Sequence, residues 1–429
     1  MDQSKPTYTD SRKREDGLAY ELNTDGLRNI QFGKEIRDEE FLLDPDVTFL
    51  NHGSYGTVPS RIIDIQNKLN IERERHPDHW YRVNCKKYVD RSRRAVADFI
   101  GADSDNIAYV SNPSVAINTV IRSYPFQPGD ALLDTNLSYG TIAKLCKDFT
   151  TRIRPDVERV NLQIDFPVLS EDYIIQKYED ILRRHPNIKV AIIDHITSPS
   201  AIVMPVKKLV DLCHSNNVLA FIDGAHAIGH IPLNMNDLGA DVYTTSVHKW
   251  AFAPRGCAIL WYDRKHASWI NPLTTSWNIG DSLDQQFFEQ GTVDHIPYVL
   301  ARHCLDFYQA IGGMSKIIQY TTLLAEEARD LLIKELRLEP LPLAPTLESP
   351  NLKLLKLPAV SGYPCTEAGV AALEKALFEG TSVFAVLALI QNNIYLRYSV
   401  QVYNDIDDFK TFVMYFKDFL HKNSDLINV

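Results

Sequence analysis

Long apolar runs are missing from this sequence. No stretch reaches the roughly 18 consecutive apolar residues that cross a bilayer as a helix, and the opening MDQSKPTYTDSRKREDG is polar, without the apolar core of a secretory signal. NSDLINV at the other end carries no retention or peroxisomal address, so the cytoplasm is the expected location. A positive excess is missing too: 45 Lys and Arg against 55 Asp and Glu leave a formal net charge of -10. That balance argues against a general nucleic-acid or anionic-membrane binder, since attraction to phosphates needs a basic surface; a small-molecule partner is expected instead. Cysteine is sparse, at six residues (Cys85, Cys146, Cys213, Cys257, Cys304 and Cys365) with no C-x-x-C pair. Neither a zinc knuckle nor a disulfide framework is suggested, and reduced, mostly buried thiols are expected. Only 19 Gly and 22 Pro occur in 429 residues, with no internal repeat or low-complexity tract, which excludes a fibrous or disordered chain.

What the chain does contain is ordinary globular material, 45% hydrophobic and 23% charged, in a length that exceeds a single core and implies two lobes. Residues 1 to about 45 read as a polar arm that becomes ordered near FGKEIRDEEFLLD. From there to about 270, short apolar, β-branched runs alternate with segments of helical period. The runs are IAYVSN (107–112), ALLDTN (131–136), VERVNL (157–162), VAIIDHI (190–196), LAFIDG (219–224) and CAILWY (257–262); 170–185 and 205–216 carry the helical spacing. This rhythm predicts an α/β fold, a mainly parallel sheet covered by helices on both faces. A long amphipathic helix broken at Gly312–Gly313 is predicted over 296–336. LKLLKLP and YLRYSVQVY then signal strands of a second, smaller α+β lobe.

In such sheets ligands bind beyond the carboxyl ends of the strands. FIDGAHAIGH places Asp223 and His226 just past one strand, and TTSVHKW places Ser246, His248 and Lys249 after another. A lysine amine able to form an imine, with a carboxylate able to keep a pyridine nitrogen protonated, is the pair that pyridoxal-phosphate chemistry needs. In SNPSVAIN a strand ends at Ser111–Asn112, and Pro113-Ser114-Val115 open a helix whose free N–H groups suit a phosphate, with the Ser114 hydroxyl as an added donor. LSYGT offers Tyr139 as a ring-stacking phenol. His226 and His230 have the i, i+4 spacing of a zinc pair, but Ala227 stands where the general base of H-E-x-x-H belongs; no metal is expected.

Taken together, NHGSYG (51–56), NPSVAIN (112–118), DHITSPSAIVMPV (194–206), DGAHA (223–227), SVHKW (246–250), QGTVD (290–294) and LRYSVQVYN (396–404) resemble one family. It is the fold type I, class V aminotransferase-like group of pyridoxal 5'-phosphate (PLP) enzymes, in the branch of isopenicillin N epimerase, cysteine desulfhydrases and ergothioneine-pathway C–S lyases. The resemblance implies an N-terminal arm (1–45), a large PLP-binding domain (46–295) with a mainly parallel, seven-stranded-type sheet between helices, and a linking helix with a small α+β domain (296–429). It implies Lys249 as the Schiff-base lysine and general acid/base, Asp223 as the pyridinium partner, and His226 beside the ring and its O3′ oxygen. Ser114, Val115, Ser246 and His248 resemble phosphate anchors, and Tyr139 the stacking residue. Gly291 and Thr292 are similar to a segment reaching the partner's phosphate, so a homodimer with shared active sites is implied. Arg397 resembles the substrate-carboxylate arginine, a role that suits its planar fork, with Asn51, His52 and Tyr55 lining the entrance. The chain departs from the pattern at Pro113 and Val115, where relatives more often have Ala and Thr, and at Val293, where Arg is common.

The implied activity is proton removal from an amino acid's α-carbon, followed most often by β-elimination of sulfur in a C–S lyase or cysteine desulfhydrase. Epimerisation, a Mannich-type cyclisation of alkaloid pathways and transamination stay open. So does a catalytically dead dimeric scaffold, against which the retained Lys249 and Asp223 speak.

Overall fold

The computed structural model describes residues 20–422 apart from Ser361 and Thr381; the first part of the predicted arm, residues 1–19, lies outside them. Packing begins early in the rest of that arm. Leu22, Leu27, Ile30 and Ile36 are buried in the main core, and the helix Lys34–Glu40 follows directly. The apolar spacing of these residues, thin among charges, is enough to dock the segment before 32–44.

Seven strands form the large sheet: β1 (Ile107–Val110), β2 (Ala131–Thr135), β3 (Glu158–Leu162), β4 (Ile188–Asp194), β5 (Leu219–Asp223), β6 (Val242–Ser246) and β7 (Ala258–Tyr262). Their order is β1-β7-β6-β5-β4-β2-β3. All neighbours run parallel except β7, which is antiparallel to both β1 and β6. The alternation of side chains explains why both faces are covered. Ala191, Ile193, Ala220, Ile222 and Ile259 point into one apolar core, and Val190, Ile192, Phe221, Ala258 and Leu260 into another. Helices such as Glu171–Arg184 and Val206–Ser215 close the first face. Pro113–Ser123 and Gly140–Asp148 close the second.

Helices Ile296–Ala310 and Gly313–Leu336 meet at Gly312 and Gly313, whose φ of 128 and 68 break the run as their sequence suggests. A smaller sheet follows, with β8 (Leu352–Lys356), β9 (Val386–Ile390) and β10 (Asn393–Ser399), all antiparallel, and Glu339–Pro340 at one edge. Gln391 and Asn392 join β9 to β10 with φ of 46 and 59, the left-handed pair that a tight hairpin of matching twist requires. That hairpin, with its strand β9, is not among the expected elements; Asn392 is its cue. Where the two lobes meet, Trp250 packs with Ala201, Leu352, Leu354 and Tyr395.

At the sheet end away from the strand carboxyl termini, Asp241 is buried and accepts from His214 Nε2 (2.8 Å), His266 Nε2 (2.9 Å) and the Ala220 N–H (2.9 Å), and pairs with Lys265 Nζ (2.9 Å). Burial opposes its charge, but the bonds from His266, Lys265, Ala220 and His214 outweigh it and hold the carboxyl below the usual range. A depressed carboxyl contributes stability above its unfolded value and loses it as pH falls. Asp241→Asn is therefore expected to cost about 3 kcal/mol near neutrality. In urea unfolding, its gap from the wild type should close as pH drops below about 4.

Candidate active site

Past the carboxyl ends of β2, β4, β5 and β6 the chain gathers its unusual polar groups. Ser246 ends β6, and the single helical turn Val247–Trp250 carries His248 and Lys249. Lys249 Nζ lies 3.1 Å from His226 Nε2. Burial draws its amine down to about 8, against the pull of Asp223 and with the repulsion of Arg397. Asp223, at the end of β5, is buried, and its Oδ1 accepts from the Ala225 N–H at 3.0 Å. Its register neighbour on β4 is Asp194, whose Oδ2 accepts from Ser138 Oγ at 3.2 Å. Burial and then the Asp223 charge push Asp194 well above the carboxylate range, while burial raises Asp223 and the Ala225 N–H and Lys249 counteract it. Both carboxyls are pushed up, Asp194 further than Asp223, and only Asp223 has the Lys249 amine to favour its charged form.

Arg397 reaches in from β10. It is buried, donates from Nη1 to the Ser198 carbonyl at 2.6 Å and from Nη2 to Ser54 Oγ at 3.0 Å, and its Nε has no protein partner. Burial holds the guanidinium down to about 10. Among the described residues no carboxylate forms an ion pair with it, so the charge is left for an anion. Ser54 Oγ in turn donates to Asn51 Oδ1 at 2.6 Å, which ties Asn51 to the arginine. Tyr139 is 49% exposed and Tyr55 66%, and both hydroxyls lie close enough to bear on Arg397.

His52 is placed differently from its expected position at the entrance. It is fully buried, with Nδ1 2.9 Å from Tyr403 Oη and Nε2 2.5 Å from the Lys249 carbonyl. Both nitrogens are engaged and burial lowers it to about 3, so this ring braces the lysine turn from behind. Gly56 completes the brace: at φ +66, an added Cβ would sit 2.1 Å from the His248 carbonyl oxygen. On the phosphate side, Ser246 Oγ is buried without a protein partner, and His248 donates from Nδ1 to the Cys257 carbonyl at 2.9 Å, leaving Nε2 free. Ser114 is half-buried on the first turn of Pro113–Ser123. The Val115 N–H is already taken by Asn112 Oδ1 at 3.0 Å. Gly291 and Thr292 are exposed, and no hydrogen bond among the described residues joins them to the Lys249 cluster.

Residues 64–412 match the family model of class-V aminotransferases. The chain belongs to the class-V aminotransferase family. Among its relatives is hercynylcysteine sulfoxide lyase of Schizosaccharomyces pombe, 29% identical over 408 residues that cover 91% of this chain and 98% of that protein. Another, putative L-cysteine desulfhydrase 1 of Oryza sativa subsp. japonica, is 32% identical over 324 residues, 70% of this chain and 67% of that protein. Among solved structures, a mutant of C-DES with glycine covalently linked to its PLP cofactor superposes with a TM-score of 0.75 at 17% identity, covering 88% of this chain and 98% of that one. At that identity the likeness is one of fold.

As a member of this family, the chain takes PLP, and the residues present fit it. The orphaned Ser246 hydroxyl and the free Nε2 of His248 suit a phosphate, the buried Asp223 carboxylate suits a protonated pyridine nitrogen, and the amine of Lys249 suits the aldehyde carbon. Asp194, Ser54, Ser198, Trp250 and Tyr403 join the site without having been expected there. All five lie inside the motifs that carry the resemblance, and the strand-end position of Asp194 is its signal.

Gly56→Ala should destabilise the fold by about 3 kcal/mol and loosen cofactor retention, measured by thermal unfolding and visible absorbance. Gly140→Ala, where an added Cβ meets nothing within 4 Å, serves as the neutral control.

Proposed function

We propose that this chain is a PLP-dependent C–S lyase, of the cysteine desulfhydrase or cysteine-conjugate sulfoxide type, that acts on a β-sulfur-substituted amino acid. The observation that carries this reading is Arg397: a buried guanidinium without a carboxylate partner among the described residues, near enough to the depressed amine of Lys249 to act on its charge, is what an α-amino acid needs at its two ends. The choice of sulfur chemistry rests on the names of the relatives, a sulfoxide lyase along nearly the whole chain and a desulfhydrase along most of it.

When bound, the cofactor supplies an electron sink for the pair released at the substrate's α-carbon. Arg397, its planar fork held by the Ser198 carbonyl and Ser54, would grip the substrate's α-carboxylate and so orient the bonds at the α-carbon. Lys249, with its amine drawn down to about 8, is poised to take the α-proton near neutral pH. Asp223 would hold the pyridine nitrogen protonated, Ser114, Ser246 and His248 would hold the phosphate, and Tyr139 would supply a stacking face. The C–S bond then breaks, sulfur leaves with a proton from Tyr139, and the three-carbon remainder hydrolyses to pyruvate and ammonia. A persulfide route lacks its nucleophile among five of the cysteines: Cys85, Cys146, Cys213, Cys257 and Cys304 are buried, and burial pushes Cys85 and Cys213 up to about 12 and raises the other three well above the usual thiol range.

The same reading makes the exposed Gly291 and Thr292 contacts of a second copy in a homodimer, and takes 46–295 and 296–429 as the two domains. It places the enzyme in the cytoplasm. What the fold itself contributes is narrower: among the described residues no helix is long and apolar enough to cross a membrane.

Purified protein given PLP should develop a visible band that is lost in Lys249→Ala; a wild type that stays colourless overturns the cofactor assignment. Incubated with cysteine or cysteine-conjugate sulfoxides, the wild type should release pyruvate with sulfide or the matching sulfur product. Exchange of the α-proton without pyruvate would point to epimerisation instead. Arg397→Ala should keep the colour and raise KM at least about tenfold, the loss of one charge-assisted bond of about 1.4 kcal/mol or more.

A further inference from the structure

Trp250 takes no part in the chemistry described above, yet it is closely confined. It is fully buried. A Cβ on Gly53 would come within 3.0 Å of its ring and one on Gly229 within 2.7 Å of its backbone. The rings of His230 and His52 flank it at centroid distances of 4.2 Å and 5.5 Å. This confinement fixes the direction of the indole N–H, which donates to His226 Nδ1 at 3.3 Å.

An indole nitrogen can only donate, and a neutral imidazole has one donor and one acceptor nitrogen. With Nδ1 accepting from Trp250, the proton of His226 must sit on Nε2. That Nε2 faces Lys249 Nζ at 3.1 Å. An ammonium has three donors and no lone pair, so Nε2–H against a charged lysine would set donor against donor; the neutral amine accepts. His230 does not disturb the arrangement, because its Nδ1 bonds the His226 backbone carbonyl at 2.8 Å and leaves the ring alone.

We infer that Trp250 is a positioning residue: through His226 it favours the unprotonated amine of the free Lys249 side chain over the ammonium. The inference rests on the reading of Lys249 as the cofactor-binding amine. Other groups act on that amine as well. The Asp223 carboxylate favours the ammonium and Arg397 opposes it. His248, its chain neighbour, is turned to the Cys257 carbonyl, and His52 reaches only the Lys249 backbone oxygen. The donor chain from Trp250 is thus the counterweight to Asp223, with burial on its side. Burial also keeps His226 itself neutral, well below its ordinary value, with the charges of Lys249 and Arg397 adding to the effect.

Two measurements on the full chain decide it. In histidine-labelled apoprotein, ¹⁵N NMR should find His226 protonated on Nε2; a proton on Nδ1 overturns the inference, whatever any variant does. In Trp250→Phe, which keeps an aromatic ring but removes the donor, cofactor capture is followed by visible absorbance against pH. The pH midpoint should move upward, so that capture near pH 7 slows by about tenfold each time the midpoint rises by about one on the pH scale, while the high-pH rate is retained. An unchanged midpoint, or a loss equal at every pH, marks a merely structural tryptophan and overturns the assignment. A wild type that captures no cofactor at any pH would instead overturn the role of Lys249, and the NMR tautomer would still test the Trp250–His226 bond separately.

Discussion

Three ionisable groups are buried together at one end of the large sheet without a direct ion pair among them: the Lys249 amine, the Asp223 carboxyl and the Arg397 guanidinium. Removing a charge from water costs several kcal/mol when no partner compensates it, and none of the three is fully compensated by the protein. The rest of the fold offsets that cost. Two apolar cores, one on each face of the sheet, supply the stability, and the site spends part of it on an arrangement useful only when a zwitterionic substrate and a cofactor of complementary charge are bound.

Much of the surrounding structure serves to keep those charges apart and aimed. His52 and Gly56 pin the backbone of the lysine turn from below. Ser54 and Ser198 hold the arginine fork from opposite sides without neutralising it. Asp194 and Asp223 are neighbours on adjacent parallel strands, and burial pushes both carboxyls up, Asp194 further because the Asp223 charge adds to it. Trp250 belongs both to the junction of the two lobes and to the histidine beside Lys249, so the packing of one lobe on the other is mechanically continuous with the chemistry.

The strand runs were legible because each is short, β-branched and bounded by polar residues, and the same boundaries pointed at Asp223 and Lys249. β9 was harder to see: its alternation is brief, and its hairpin depends on a left-handed Gln391–Asn392 pair that only Asn392 advertises. His52 was misplaced at the entrance because a histidine beside Asn51 and Tyr55 in a polar motif reads as a contact residue. The bonds to Tyr403 and to the Lys249 carbonyl come from parts of the chain more than 190 residues away.

By itself the sequence determined the alternation that makes a parallel sheet, the strand-end placement of an amine and a carboxylate, and the order of motifs that marks the family; each follows from local period and residue chemistry. Only the tertiary structure decided the protonation of the groups. Whether an amine is drawn down, how far each of two neighbouring aspartates is pushed up, and which nitrogen of His226 carries the hydrogen all depend on burial and on donors from distant elements, and burial exists only once the chain has packed.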